Sequence, residues 1–195
     1  QLAEQVALYK SLLAAVPYTE RVTLTELDGP AMVAYGEELK ILQRRKHPLG
    51  DLLYLHEEEA VLMTYFRNNT LHLFAVLLLQ CGDISDEELL RRVKSVYPFL
   101  KSELFLRWNE DELADVVAQY IDAMIDLKLV NRTRSGCLAP PKVSSEEYAR
   151  LHILSRGLRQ TLVRYHMTVT ILNQRGTGKL TQQQLEELCH LLAQR

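Results

Sequence analysis

Four residues with chemistry to offer stand at the mouth of an apolar run. They are Arg67, Asn68, Asn69 and His72, in the stretch TYFRNNTLHLFAVLLL from Thr64 to Leu79. An arginine presents a planar fork of donors suited to bidentate contact with a carboxylate or phosphate. A histidine can carry or accept a proton near neutral pH. On a helix, Asn68 and His72 share a face at i, i+4, and Asn69 and His72 meet at i, i+3. The polar residues therefore form one strip beside the apolar face. Buried polar groups are costly unless something answers them. The strip is either a satisfied network that fixes the register of its own helix or a contact with an adjoining domain that supports a pocket there.

No other group of residues forms a complete catalytic set. The six histidines include no His-x-x-Glu-His pair, and no Gly-x-Ser-x-Gly elbow occurs. The GTGK stretch at Gly176–Lys179 lacks the spacing of a phosphate loop and follows a helix rather than a strand, so it reads as an interhelical loop. Cys81, Cys137 and Cys189 are far apart and form no zinc-like cluster, which reads as reduced, inert thiols. The segment FLKSELFLRW carries Phe99, Leu100, Leu104, Phe105, Leu106 and Trp108. Core packing accounts for most of these. Trp108 beside Arg107 also suits a boundary with a neighbouring domain or a membrane surface.

The elements that would position these residues are mainly helical. The pattern predicts a helix over Leu2–Val16 ended by Pro17, an extended piece at RVTLTEL, and a helix opened by Asp28, Gly29 and Pro30. QRRKHPLGD reads as a basic loop and DLLYL as a strand. One long helix is expected from Glu57, with three glutamates in its first turn, to Gly82. Ser85 and Glu88 have capping-box spacing; Pro98 is expected to interrupt the helix they open. Asn109 is expected to cap the next helix directly. LVNRTRSGCLAPP reads as a hairpin turning at Ser135-Gly136, Ser144 or Ser145 opens a long helix to about Asn173, and Thr181 begins the last. The fold class is mainly α: a multi-helix domain with a few short strands and one winged-helix-like hairpin.

Composition narrows the functions. The chain has 195 residues, 47% hydrophobic and 25% charged, with a net charge of −2, which is a globular composition without a general pull toward nucleic acid. The helix that would read DNA in a winged helix carries Glu110, Asp111, Glu112, Asp115, Asp122 and Asp126 and would repel phosphates. The longest apolar run, Leu73–Leu79, is far short of the roughly 20 residues that span a bilayer. Gln1 opens into a helical pattern with no basic leader, and the chain reads as part of a larger polypeptide.

Four segments, YKSLLAAVPYTE, AVLMTYFRNNTLHLF, VYPFLKSELFLRWNEDEL and LCHLLAQR, resemble in the same order the C-terminal region of the bacterial membrane-bound sn-glycerol-3-phosphate 1-O-acyltransferases. The resemblance implies a parent enzyme that transfers an acyl chain from acyl-CoA or acyl-carrier protein to glycerol 3-phosphate in phospholipid synthesis. It implies placement at the cytoplasmic face of the inner membrane. Catalysis in that family rests on a His-x-x-x-x-Asp motif whose aspartate orients the histidine as general base. None of the six histidines here has an aspartate five residues on. The expectation is thus a non-catalytic accessory domain over 1–195, with a sub-boundary near 82–84. It holds no metal and no resident cofactor, and its partners are the catalytic domain of the same polypeptide and, in the parent, a membrane surface. Arg67, Asn68, Asn69, His72 and Trp108 are the candidate contacts. The alternatives are a non-enzymatic helical interaction module and a winged-helix regulator.

Overall fold

The structure, a computed structural model, describes residues 1–67, 82–176 and 178–193, with the backbone alone at 64–67, 157, 158 and 160. Its first pair of helices is α1 (Leu2–Ala15) and α2 (Gly29–Glu38). Asp28 caps α2 by accepting the Ala31 N–H at 2.9 Å, and Pro30 sits in the first turn where its missing donor costs nothing. The two helices touch at Gly29, where an added Cβ would stand 2.1 Å from the Ala3 carbonyl oxygen. Only a residue without a side chain allows that approach.

A small antiparallel hairpin follows, β1 (Leu42–Arg45) and β2 (Leu52–Leu55), with Leu42 opposite Leu55 and Arg45 opposite Leu52. The expected QRRKHPLGD loop is therefore half strand: Gln43, Arg44 and Arg45 pair, and only the segment after them turns. Cross-strand pairing decided this, because Tyr54 donates its hydroxyl to Gln43 at 2.8 Å and Arg44 is held by Glu37 and Asp51. Conversely, RVTLTEL forms no strand: its backbone bonds run to nearby residues and to the Lys10 ammonium, which donates to the Leu27 carbonyl at 2.9 Å, and not to a partner strand. Helix α3 (Glu57–Arg67) starts with its three glutamates as expected. The rest of the long helix anticipated there lies outside the described residues.

The centre of the molecule is built by α4 (Asp86–Glu103), α5 (Leu113–Asp126) and a second hairpin, β3 (Asn131–Arg132) with β4 (Leu138–Ala139). Ile84 makes one antiparallel bridge to Leu138 at the edge of that hairpin. The order is bridge, helix, helix, hairpin, which has the winged-helix outline. Gly136 turns the hairpin with φ 83°, a left-handed value that suits glycine. Leu89, Val93, Tyr97 and Leu100 of α4 meet Leu113, Val117, Tyr120, Ile121 and Met124 of α5, closed off by Leu129 and Leu138. Leu12 of α1 and Val16, which follows it, join the same core.

Pro98 does not interrupt α4; the helix runs through it to Glu103. The proline removes one backbone hydrogen bond. Yet Val93, Tyr97 and Leu100 are all wholly buried on the helical face that spans it. Breaking the helix there would expose that face, at about 1.5–3 kcal/mol per large side chain. The start of α5 also differs from expectation. Asn109 opens a turn, its N–H donating to the Glu112 carboxylate at 2.7 Å, and α5 proper begins at Leu113. Two further helices complete the described fold, α6 (Glu146–Arg175) capped by Ser145 and α7 (Gln182–Ala193). Thr181 and Gln184 exchange the reciprocal bonds of a capping box at 3.3 and 3.0 Å.

Candidate functional site

The one site residue whose side chain is described, Trp108, lies in the core at 4% exposure. It ends the irregular segment after α4. Its carbonyl accepts two hydrogen bonds, from the Tyr97 hydroxyl at 2.6 Å and from the Lys101 ammonium at 2.7 Å. Lys101 also donates to Asn109 Oδ1 at 3.2 Å. The indole ring meets Tyr18 edge-on at 5.4 Å, and the Arg107 guanidinium carbon sits 5.6 Å from its centroid. Tyr18 in turn donates its hydroxyl to the Phe105 carbonyl. The Trp108 ring thus packs inside the fold, and Phe99, Lys101, Ser102, Phe105 and Arg107 are the exposed residues of FLKSELFLRW.

This arrangement anchors rather than reacts. The Tyr97 hydroxyl is pushed up to about 12, by burial first and then by the fields of Glu112, Tyr18 and Glu110. It therefore stays a neutral donor to a carbonyl. No base aligned to a nucleophile adjoins it among the described residues. Asn68, Asn69 and His72 lie outside the described residues, and Arg67 is described as the last backbone position of α3.

Three other groups invite a functional reading. Arg44 lines a cavity of about 770 Å³ between α1, α2 and the first hairpin. Its guanidinium meets both Glu37 carboxylate oxygens at 2.7 and 2.8 Å and Asp51 at 3.1 Å. These bonds pull the Glu37 carboxyl below its usual range, Arg44 being the cause. With two carboxylates on it, Arg44 clamps β1 to α2 and the turn and has no fork left for a phosphate. A second cavity, about 390 Å³, lies between α6 and α7 against Met167, Thr168, Leu185 and Cys189. Cys189 sits 3.6 Å from the Thr168 hydroxyl, and among the described residues no base is hydrogen-bonded to it. Among the described residues no group of three His, Cys, Asp or Glu side chains could hold a metal ion, and no helix is long and apolar enough to cross a membrane.

The third group is a basic face on α6. His152, Arg156, Arg159 and His166 are exposed along one side of that helix, at spacings of four, three and seven residues. Reading the sequence for catalytic sets missed it. The signal was present as an absence: between Tyr148 and Lys179 there is no aspartate or glutamate.

The fold and this surface define a mainly α domain, organised around a winged-helix-like core and carrying a basic helix. Comparison with known proteins gives the family. Over residues 1–195 the chain matches the family described as “Glycerol-3-phosphate acyltransferase C-terminal region”. The chain belongs to that family. It is 42% identical over 194 residues to the glycerol-3-phosphate acyltransferase of Pseudomonas syringae pv. syringae (strain B728a), covering 96% of this chain and 23% of that protein. It is 40% identical over 200 residues to the glycerol-3-phosphate acyltransferase of Pseudomonas aeruginosa (strain LESB58), covering 100% of this chain and 24% of the relative. The chain thus spans about a quarter of the length of the curated relatives it matches. No solved structure matches it.

Proposed function

We propose that this chain is the C-terminal accessory domain of a glycerol-3-phosphate acyltransferase. The parent would transfer an acyl chain from acyl-CoA or acyl-carrier protein to the sn-1 hydroxyl of glycerol 3-phosphate, in phospholipid synthesis. The observation that carries this reading is the family match along the full chain, at about a quarter of the relatives' length. The family's His-x-x-x-x-Asp pair does not occur in these residues, so the catalytic histidine belongs to the remainder of the parent. The domain packs against that remainder and supports its pocket. Arg67, Asn68, Asn69 and His72 supply one contact, and Trp108 contributes by fixing the segment that bears the outward-facing Phe99, Phe105 and Arg107. The parent associates peripherally with the cytoplasmic face of the inner membrane.

The test is acyl transfer to glycerol 3-phosphate, measured for the parent, for this chain alone, and for the parent carrying Arg67→Ala. The expected result is activity in the parent, none in this chain, and a reduced rate or lower melting temperature with Arg67→Ala. A parent without acyl transfer would overturn the assignment. An Arg67→Ala parent with unchanged rate and unchanged melting would remove the strip from it.

A further inference from the structure

The outer face of α6 carries cations that nothing among the described residues pairs. Six cations lie between Tyr148 and Lys179: Arg150, Arg156, Arg159, Arg164, Arg175 and Lys179. Two are spoken for within the domain, Arg150 by Glu146 and Arg164 by Glu103 at 3.1 Å. Arg156 and Arg159 are exposed and make no ion pair among the described residues. They share their side of the helix with His152, Val163 and His166, and Val163 is 52% exposed. From His152 to His166 this stripe runs about 21 Å along a straight helix.

The shape of the stripe limits what it can hold. Among the described residues, the cavities at α6 open toward α7, against Met167, Thr168 and Ile171. A convex rod of this kind suits an extended surface rather than a small anion in a cleft. We propose that Arg156 and Arg159 dock this domain onto a carboxylate-bearing face of the remainder of its own polypeptide. The proposal rests on the accessory-domain reading and adds to it the surface and its chemistry. The relatives supply the room for such a partner, since about three quarters of their length lies outside the region this chain covers. Arginine pairs bidentately with carboxylates and is enriched in protein interfaces. Val163, between Arg159 and His166, gives the apolar centre such a contact needs. A lipid-facing helix would set aromatic or leucine side chains beside its cations, and the stripe's apolar member is a single valine.

The test uses the full-length parent carrying Arg156→Lys and Arg159→Lys, which keep the charge and the fold while adding an amine that a zero-length carbodiimide joins to a neighbouring carboxylate. Mass spectrometry should find cross-links from positions 156 and 159 to aspartates or glutamates in the remainder of the same polypeptide, suppressed at high salt. Arg156→Glu with Arg159→Glu should speed proteolytic release of the domain roughly ten-fold or more, the loss expected for two charge-assisted contacts. Cross-links from Lys101 or Lys142 to the remainder, with none from 156 or 159, would overturn the inference and leave the accessory-domain reading standing. No cross-link between this region and the remainder would overturn both. Links formed only between two copies, or to added acyl-carrier protein, would give the stripe to another partner and overturn the proposal. So would protection of both positions by vesicles of anionic lipid alone.

Discussion

The central unit from Ile84 to Ala139 and the α6–α7 hairpin are both mainly helical and both carry amphipathic patterns, yet they end in different states. In the central unit Val93, Tyr97, Leu100, Leu113, Leu129 and Leu138 are all wholly buried. Helix α7 buries no residue at all, and Leu191 and Leu192 remain 62% and 45% exposed. Helix α6 behaves like the first region at its start and like the second at its end. Leu151 and Leu154 are sealed in the core, whereas Val169 and Leu172 are half open. An amphipathic stripe needs an opposing layer to bury it. The central unit has that layer in its own helices, in Leu12 and Val16 and in the start of α6; among the described residues the far end of the hairpin has its two helices against each other, with Ile171 buried there.

That contrast can be broken most forcefully by paired truncations. Leu113→Ala should lower the stability of the chain by about 2–5 kcal/mol, because the surrounding layers cannot collapse onto the lost volume. Leu191→Ala should change it by no more than about 0.5 kcal/mol. Urea denaturation of both variants gives the comparison directly, and comparable losses would show the hairpin to be packed as tightly as the centre.

A smaller effect sharpens the picture inside the central unit. Tyr97→Phe removes one of two donors to the Trp108 carbonyl while Lys101 stays bound, so the expected loss is about 1 kcal/mol. Tyr97 also gives that unit a pH signature. Its folded value is raised from 10.0 to about 12. Its contribution is therefore complete below about pH 10 and lost as the pH climbs from there through about 12. Tyr97→Phe should abolish that alkaline component of the melting curve, and an unchanged alkaline profile would show that the hydroxyl does not titrate in its buried setting.

The smallest effect lies on the surface of α4. Glu88 accepts from Arg91 and Arg92 at 2.6 and 2.7 Å, and those bonds hold its carboxyl down at about 2 from 4.5. What it contributes is present above about pH 4.5 and fades as the pH falls through about 2. The Glu88 side chain is partly exposed and its arginine partners more so, so the acid component should be slight and should shrink with salt. Glu88→Gln should remove it, measured as the change in melting temperature between neutral and acid pH at low and high salt. An acid slope unaltered by Glu88→Gln would assign it to another carboxylate.

Local chemistry was legible wherever a residue acts on its own neighbours. Asp28, Ser85 and Ser145 each cap the helix they were expected to open, because a cap needs only a side-chain oxygen and the backbone two or three residues on. The second hairpin turns where Ser135-Gly136 indicated, and the acidic face of α5 points outward. Pro98 was misread because its local penalty is visible in the sequence, while the buried face that outweighs it is not. Gln43 to Arg45 looked like a basic loop because their partners, Glu37, Asp51 and the β2 backbone, lie on other elements. The basic stripe of α6 was overlooked for a related reason. Arg156 stands out from Arg164 only once Glu103 is known to hold the latter.

By itself the sequence determined the helical class, most helix starts, the second hairpin and the absence of a His-x-x-x-x-Asp pair, since each follows from contacts within a few residues along the chain. Tertiary structure alone decided that α4 survives its proline, that Trp108 turns inward against Tyr18, and that α7 buries none of its residues fully. Those outcomes depend on which surfaces meet across long separations in sequence, where burial of whole faces outweighs the preference of any one residue.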